Sequence, residues 1–153
     1  MIQEFLRAIP LFQDLEDDDL AQLLMVTRAR RYGAGSLILA EGQPGGELHC
    51  IREGRVRISK VVPGVGEEAL AILEPGDFFG ELEFFDGLPA SAHAVAHTDC
   101  ELLSVAHADL RELARSKPQV AATFLWAFGV TLSRRLRDTN QKMATLFAIS
   151  RTG

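Results

Sequence analysis

The chain has 153 residues, of which 47% are hydrophobic and 24% charged, with a formal net charge of −5. That size holds one domain with its own core, and that hydrophobicity excludes a disordered chain. The charge is uneven: residues 1–110 carry 19 acids and 8 bases (net −11), and residues 111–153 carry 2 acids and 8 bases (net +6).

At the N-terminus, Glu4 and Arg7 interrupt the apolar run MIQEFLRAIPLF, so no secretory segment is expected. Asp14 to Thr27 (DLEDDDLAQLLMVT) predicts a helix. Its acids sit at the positive end of the dipole, and Leu20, Leu23, Leu24 and Thr27 mark its apolar face. Eleven of the 13 glycines then fall between Gly33 and Gly87. They cut the chain into short segments, LILA, ELHCI, RVRISKVV and EALAIL, several of which alternate apolar and polar, as in Arg55 to Ser59. Two more, SAHAVAH and CELLSVA, follow at 91–97 and 100–106. Period two and glycine turns predict half-buried strands in a small barrel or jelly roll.

His107 to Ser116 predicts a short helix, and Pro118 to about Ala148 a long one. Residues 118–133 contain no charge, yet fall short of the roughly 20 apolar residues of a membrane span. A helix apolar all round is buried all round. One face is expected on the barrel and the other on a second subunit, through Leu125, Phe128, Gly129, Leu132, Leu136 and Met143 at approximate heptad spacing. The cluster Arg134 to Arg137 reads as a solvated basic helix face, too short for a nucleic-acid patch. The expected fold is α+β: one domain over 1–153, an eight-stranded barrel at about 28–106 after an N-terminal helix, and C-terminal helices at about 107–148. Cys50 and Cys100 are far apart, lack metal spacing, and read as free thiols of a cytoplasmic protein.

Four motifs stand in order: IPLFQDLEDDDL, GELHCIREGRVRI with its turn glycine Gly54, EPGDFFGELEFFDGLPASA, and HTDCELLSV. From about Ile9 to Met143 the chain resembles the cyclic nucleotide-binding domain of catabolite activator-type regulators, protein kinase A regulatory subunits and nucleotide-gated channels. The resemblance implies a phosphate-binding cassette. Backbone N–H groups of Gly80, Glu81 and Leu82 would face the cyclic phosphate, and Glu81 would accept the ribose 2′-hydroxyl. The family's Arg-Ser-Ala falls on Ala90, Ser91 and Ala92, so the phosphate arginine is absent.

A charge-assisted contact is worth about 1.5–3 kcal/mol, so cAMP or cGMP is expected to bind at least about ten- to hundredfold more weakly than to a complete site. Glu83 stands where the family has a small residue; it repels a phosphate if it faces the pocket and is neutral if it faces solvent. His93 and His97 read as exposed histidines on one strand face, about 13 Å apart and too distant to share a metal. Gly80 and Gly87 also fit turns that need positive φ, so the cassette has a purely structural reading as well.

No catalytic constellation, metal site or hydrolysis motif is expected, and no cofactor is required. The function implied is a non-enzymatic regulatory domain with weakened or lost cAMP or cGMP binding. The alternatives are a dimerising or protein-binding scaffold with an unidentified partner, or a sensor of a different small ligand. Gly153 follows closely on the long helix, so no helix-turn-helix DNA-binding domain is expected, and the short uncharged stretch 118–133 leaves no membrane segment expected.

Overall fold

The computed structural model describes residues 2–152, apart from the side chains of Ile2, Pro10 and Thr152. Met1 and Gly153, the ends of the expected domain, lie outside the described residues. The chain opens with helix α1 (Ile2–Arg7), a 3-10 turn (Pro10–Phe12) and helix α2 (Asp17–Met25). Asp17, Asp18 and Asp19 fill the first turn of α2, where the dipole favours them, and Leu20 and Leu23 are buried. The guanidinium of Arg7 donates to the Leu15 carbonyl and the Asp17 carboxylate, tying α1 to the start of α2. This second helix is shorter at both ends than the expected 14–27. Glu16 is extended, and Thr27 opens strand β1 opposite Val105 while its hydroxyl donates to the Leu23 carbonyl at 2.8 Å.

Eight strands follow: β1 (Thr27–Tyr32), β2 (Leu37–Leu39), β3 (Glu47–Glu53), β4 (Val56–Val62), β5 (Gly66–Leu73), β6 (Phe78–Phe79), β7 (His93–Ala96) and β8 (Cys100–Ala106). They form two four-stranded antiparallel sheets, in the orders β1-β8-β3-β6 and β2-β7-β4-β5. β1 and β6 escape the period-two reading, because β1 is TRARRY, largely polar, and β6 is two residues long. The β3–β4 turn depends on Gly54 at φ +83°, where a Cβ would overlap the Asp99 carbonyl and lie 2.7 Å from the Cys100 Cβ.

Strands β3 and β8 of the first sheet are buried on both faces. Leu48 and Cys50 of β3 and Leu103 of β8 join the helices in one apolar cluster; Ile51 and Leu102 join Val56, Phe79, Ala94 and Ala96 in a second, between the sheets. Cys50 and Cys100 are buried and unpaired, and burial pushes the Cys50 thiol up to about 12.

Helix α4 (His107–Ser116) buries Leu110 and Leu113. Helix α5 (Pro118–Thr152) begins at a proline and runs 35 residues. Its inner stripe, Val120, Ala121, Phe124, Ala127 and Phe128, packs toward the barrel and the N-terminal helices, with the Phe128 ring 5.0 Å from Phe78 and Phe124 6.0 Å from Phe12. Among the residues expected at a subunit interface, Phe128 therefore belongs elsewhere. Phe128 is only 2% exposed, in the chain's own core, and Leu132 packs partly against it. The other four, Leu125, Gly129, Leu136 and Met143, are exposed, as are Trp126, Leu146 and Phe147. Among the described residues no helix is long and apolar enough to cross a membrane.

Candidate ligand-binding site

The segment between β6 and β7 builds one wall of a cavity of about 330 Å3, a size typical of small-ligand pockets (about 300–1,000 Å3). After β6 the chain turns at Gly80, makes helix α3 (Glu81–Asp86), and leaves it at Gly87. Both glycines are left-handed, at φ +82° and +71°. A Cβ on Gly80 would also lie 2.6 Å from the Glu47 carbonyl, so the close approach of this turn to β3 requires glycine. Phe84, 1% exposed, anchors α3 in the apolar core and by an edge contact with His107. The cassette returns through Pro89 to β7, and Ala90 exchanges backbone hydrogen bonds with the 42–43 turn (2.8 and 2.9 Å).

Of the six residues expected at the site, Gly80, Glu81, Leu82, Ser91 and Ala92 line this cavity. Ala90 is buried beside it and is not part of its lining. Apolar side chains of Leu39, Ile58, Leu70, Leu73, Phe78, Phe79 and Ala94 complete the walls, with Lys60, Glu83, His93 and Arg135 as further polar members.

A guanidinium enters the cavity from α5 rather than from the cassette. Arg135 does not lie on a solvated basic face, as the sequence suggested. Its Nη1 is 3.5 Å from Glu81 Oε1, its Nη2 donates to the Phe78 carbonyl at 3.1 Å, and its guanidinium lies 3.7 Å from the centroid of the Phe78 ring. The signal is present in the periodicity: Phe128, Leu132 and Arg135 fall on one helical stripe, which faces the barrel. Burial pushes the Glu81 carboxyl above the usual range. Its backbone hydrogen bond and Arg135 oppose the shift, and the like charge of Glu83 adds to it.

Glu83 faces inward. It is 6% exposed, and its Oε1 accepts the Ser91 N–H at 2.9 Å and the Ser91 hydroxyl at 3.4 Å. It lies between the main cavity and a neighbouring one of about 290 Å3, lined also by Arg30, Tyr32, Glu47, His49 and Gly80. In that second cavity His49 is buried, with Nδ1 2.6 Å from the Ser104 hydroxyl and its ring stacked on Phe79. Burial, assisted by the positive charge of Arg30, lowers its pKa to about 4.

The two strand histidines part company. His93 is half-buried in β7, and its Nδ1 accepts the Glu41 N–H at 3.0 Å; His97 lies beyond the end of the strand and is exposed. The expectation of two exposed histidines on one face fails for His93 because its ring turns toward the cavity wall. No group of three or more His, Cys, Asp or Glu among the described residues is placed to hold a metal.

The family model described as cyclic nucleotide-binding domain matches residues 29–117, more than half of the chain. The chain is 32% identical over 145 residues to a CRP-like cAMP-activated global transcriptional regulator of Mycobacterium tuberculosis, covering 95% of this chain and 63% of that protein. It thus spans less than two thirds of that relative's length. Among solved structures, the N-terminal domain of a transcriptional regulator from Streptomyces coelicolor matches at TM-score 0.76 and 35% identity, covering 91% of this chain and 94% of that one. A cyclic nucleotide-binding domain from Methylobacillus flagellatus matches at TM-score 0.82 and 26% identity, covering 91% and 78%. The chain belongs to the cyclic nucleotide-binding domain family.

Proposed function

We propose that residues 1–153 form a single cytoplasmic, non-enzymatic regulatory domain that binds cAMP or cGMP weakly in the cassette pocket and dimerises through α5. The observation that carries this reading is Arg135. It belongs to the long helix, yet its guanidinium lies in the ligand pocket against Glu81. A ligand hydroxyl that engages Glu81 competes for the same carboxylate and so changes what holds α5 to the barrel. Occupancy of the pocket and the position of α5 are thereby coupled through one ion pair. Weak affinity follows from Ala90, which brings no guanidinium to the phosphate, while Arg135 is already engaged with Glu81 and the Phe78 carbonyl.

The test is calorimetric titration of cAMP and cGMP into the protein and into Ala90→Arg, with circular dichroism to confirm that the variant folds. The expected result is weak binding to the unaltered protein and binding at least about tenfold tighter to Ala90→Arg. If neither protein binds either nucleotide at millimolar concentration, the sensor reading falls. A second reading, a dimerising scaffold that binds no nucleotide, is favoured by the exposed Leu125, Leu136, Met143, Leu146 and Phe147 along α5.

A further inference from the structure

We infer that Glu83 sets the ligand specificity of this pocket: its carboxylate takes up the Ser91 donors that a phosphate would use and turns the site toward a neutral, nucleoside-class ligand. This rests on the reading of the cassette cavity as a ligand site, and it makes the internal carboxylate, not only the absent arginine, the reason for rejecting cyclic phosphates.

Both hydrogen-bond donors of Ser91, its N–H and its hydroxyl, are directed at Glu83 Oε1. They are the cassette donors left beside the position where the arginine is absent. Glu83 is 94% buried, and among the described residues no Lys, Arg or His forms an ion pair with it within 4.0 Å. A carboxylate buried without a cation is costly, and the two Ser91 donors and the open cavities on either side are what it has in exchange. Its stem lies directly against Gly45, where a Cβ would come 2.8 Å from the Glu83 Cβ and 3.2 Å from its Cγ. The side chain is thus seated in a slot that exists because residue 45 is glycine.

Two consequences follow for a ligand. A cyclic phosphate that approached Ser91 would have to displace one anion with another, next to a second carboxylate, Glu81. The two cations that line the cavity do not relieve this: Arg135 pairs with Glu81 at 3.5 Å and Lys60 with Glu41 at 3.9 Å. Second, a carboxylate at this position only accepts hydrogen bonds. It therefore favours a ligand that presents a hydroxyl or N–H there. The remaining wall, with Leu39, Ile58, Leu70 and Leu73, suits an uncharged ring.

The experiment uses adenosine and cAMP as probes, titrated by calorimetry into the unaltered protein, Glu83→Ala and Glu83→Gln, each checked by circular dichroism. The unaltered protein is expected to bind adenosine more tightly than cAMP. Glu83→Ala, which removes charge and volume, is expected to bind cAMP at least about tenfold more tightly, reversing the preference. Glu83→Gln, which removes only the charge, is expected to lie between them, and it keeps the test alive if the alanine variant does not fold. Tighter binding of cAMP than adenosine by the unaltered protein overturns the inference. So does an absence of adenosine binding, or a cAMP affinity in the variants within about threefold of the original. If Ala90→Arg binds cAMP tightly with Glu83 in place while the Glu83 variants gain nothing, this inference fails and the regulatory reading stands. If no variant binds any probe, both fail.

Discussion

Arg135 makes three contacts at once, and each predicts something measurable. Truncation to Ala removes a charge-assisted hydrogen bond to a carbonyl, an ion pair to a largely buried carboxylate, and the stacking on Phe78. Arg135→Ala should lose about 1–3 kcal/mol in urea denaturation. Combined with Glu81→Gln it should lose less than the sum of the two single changes, because the two share one interaction; strict additivity would show that the pair carries no coupling.

His49 predicts a pH dependence. Its folded pKa is about 4 against an ordinary 6.5, lowered first by burial and then by Arg30. Between those values the unfolded chain takes up a proton that the folded chain refuses. The contribution of His49 is therefore complete above pH 6.5 and is lost as pH falls toward 4, amounting to about 2 kcal/mol between pH 7 and 5. Denaturation of His49→Gln over this range should show a correspondingly flatter slope, and an unchanged slope would locate the acid sensitivity elsewhere.

At the scale of elements, the β3–β4 turn and α5 make opposite demands on glycine. Gly54 is left-handed, and a side chain there would collide with the backbone of residues 99–100. Gly54→Ala should cost more than about 2 kcal/mol, read as a drop in urea midpoint. Gly129 lies on the exposed side of a continuous helix, with nothing within 4 Å of an added Cβ. In the isolated protomer Gly129→Ala should stabilise by about 0.5–1 kcal/mol, because alanine loses less backbone entropy in a helix. In a dimer closely packed at that point, the same methyl should weaken association. Denaturation at low protein concentration, paired with sedimentation at high concentration, separates the two effects.

At the scale of the whole molecule, α5 leaves the barrel after about Leu132 and Arg135, and residues 136–151 are exposed. Leu136, Met143, Leu146 and Phe147 lie along this stretch without cover from the barrel. A long isolated helix with such a face is marginal in water and gains stability by pairing. Met143→Asp and Leu136→Asp should therefore convert a dimer to a monomer in sedimentation velocity, while the barrel's β signal in circular dichroism is retained. A dimer that survives both changes would place the contact off this face.

Much of this molecule is legible in its amino-acid sequence. The glycine punctuation and period-two segments announce a barrel of short strands, because turns need positive φ and half-buried strands alternate. The uncharged stretch 118–133 announces a helix with apolar surface to hide, and the cassette motif marks Gly80, Glu81 and Ser91. What local pattern leaves undecided is direction. Phe128 goes to the chain's own core rather than to an expected interface, because one helix has two apolar faces and only packing assigns them. Glu83 is equally consistent with solvent or pocket until the slot over Gly45 and the donors of Ser91 fix it inward. Arg135 lies 54 positions from Glu81 in sequence, and only the fold brings that charge to the cassette. The sequence by itself determined most of the elements and the family. Only the tertiary structure decided which charges share the pocket, because local spacing puts Arg135 on the barrel-facing stripe of its helix but cannot name its partner dozens of residues away, and electrostatic contact depends on distance in space.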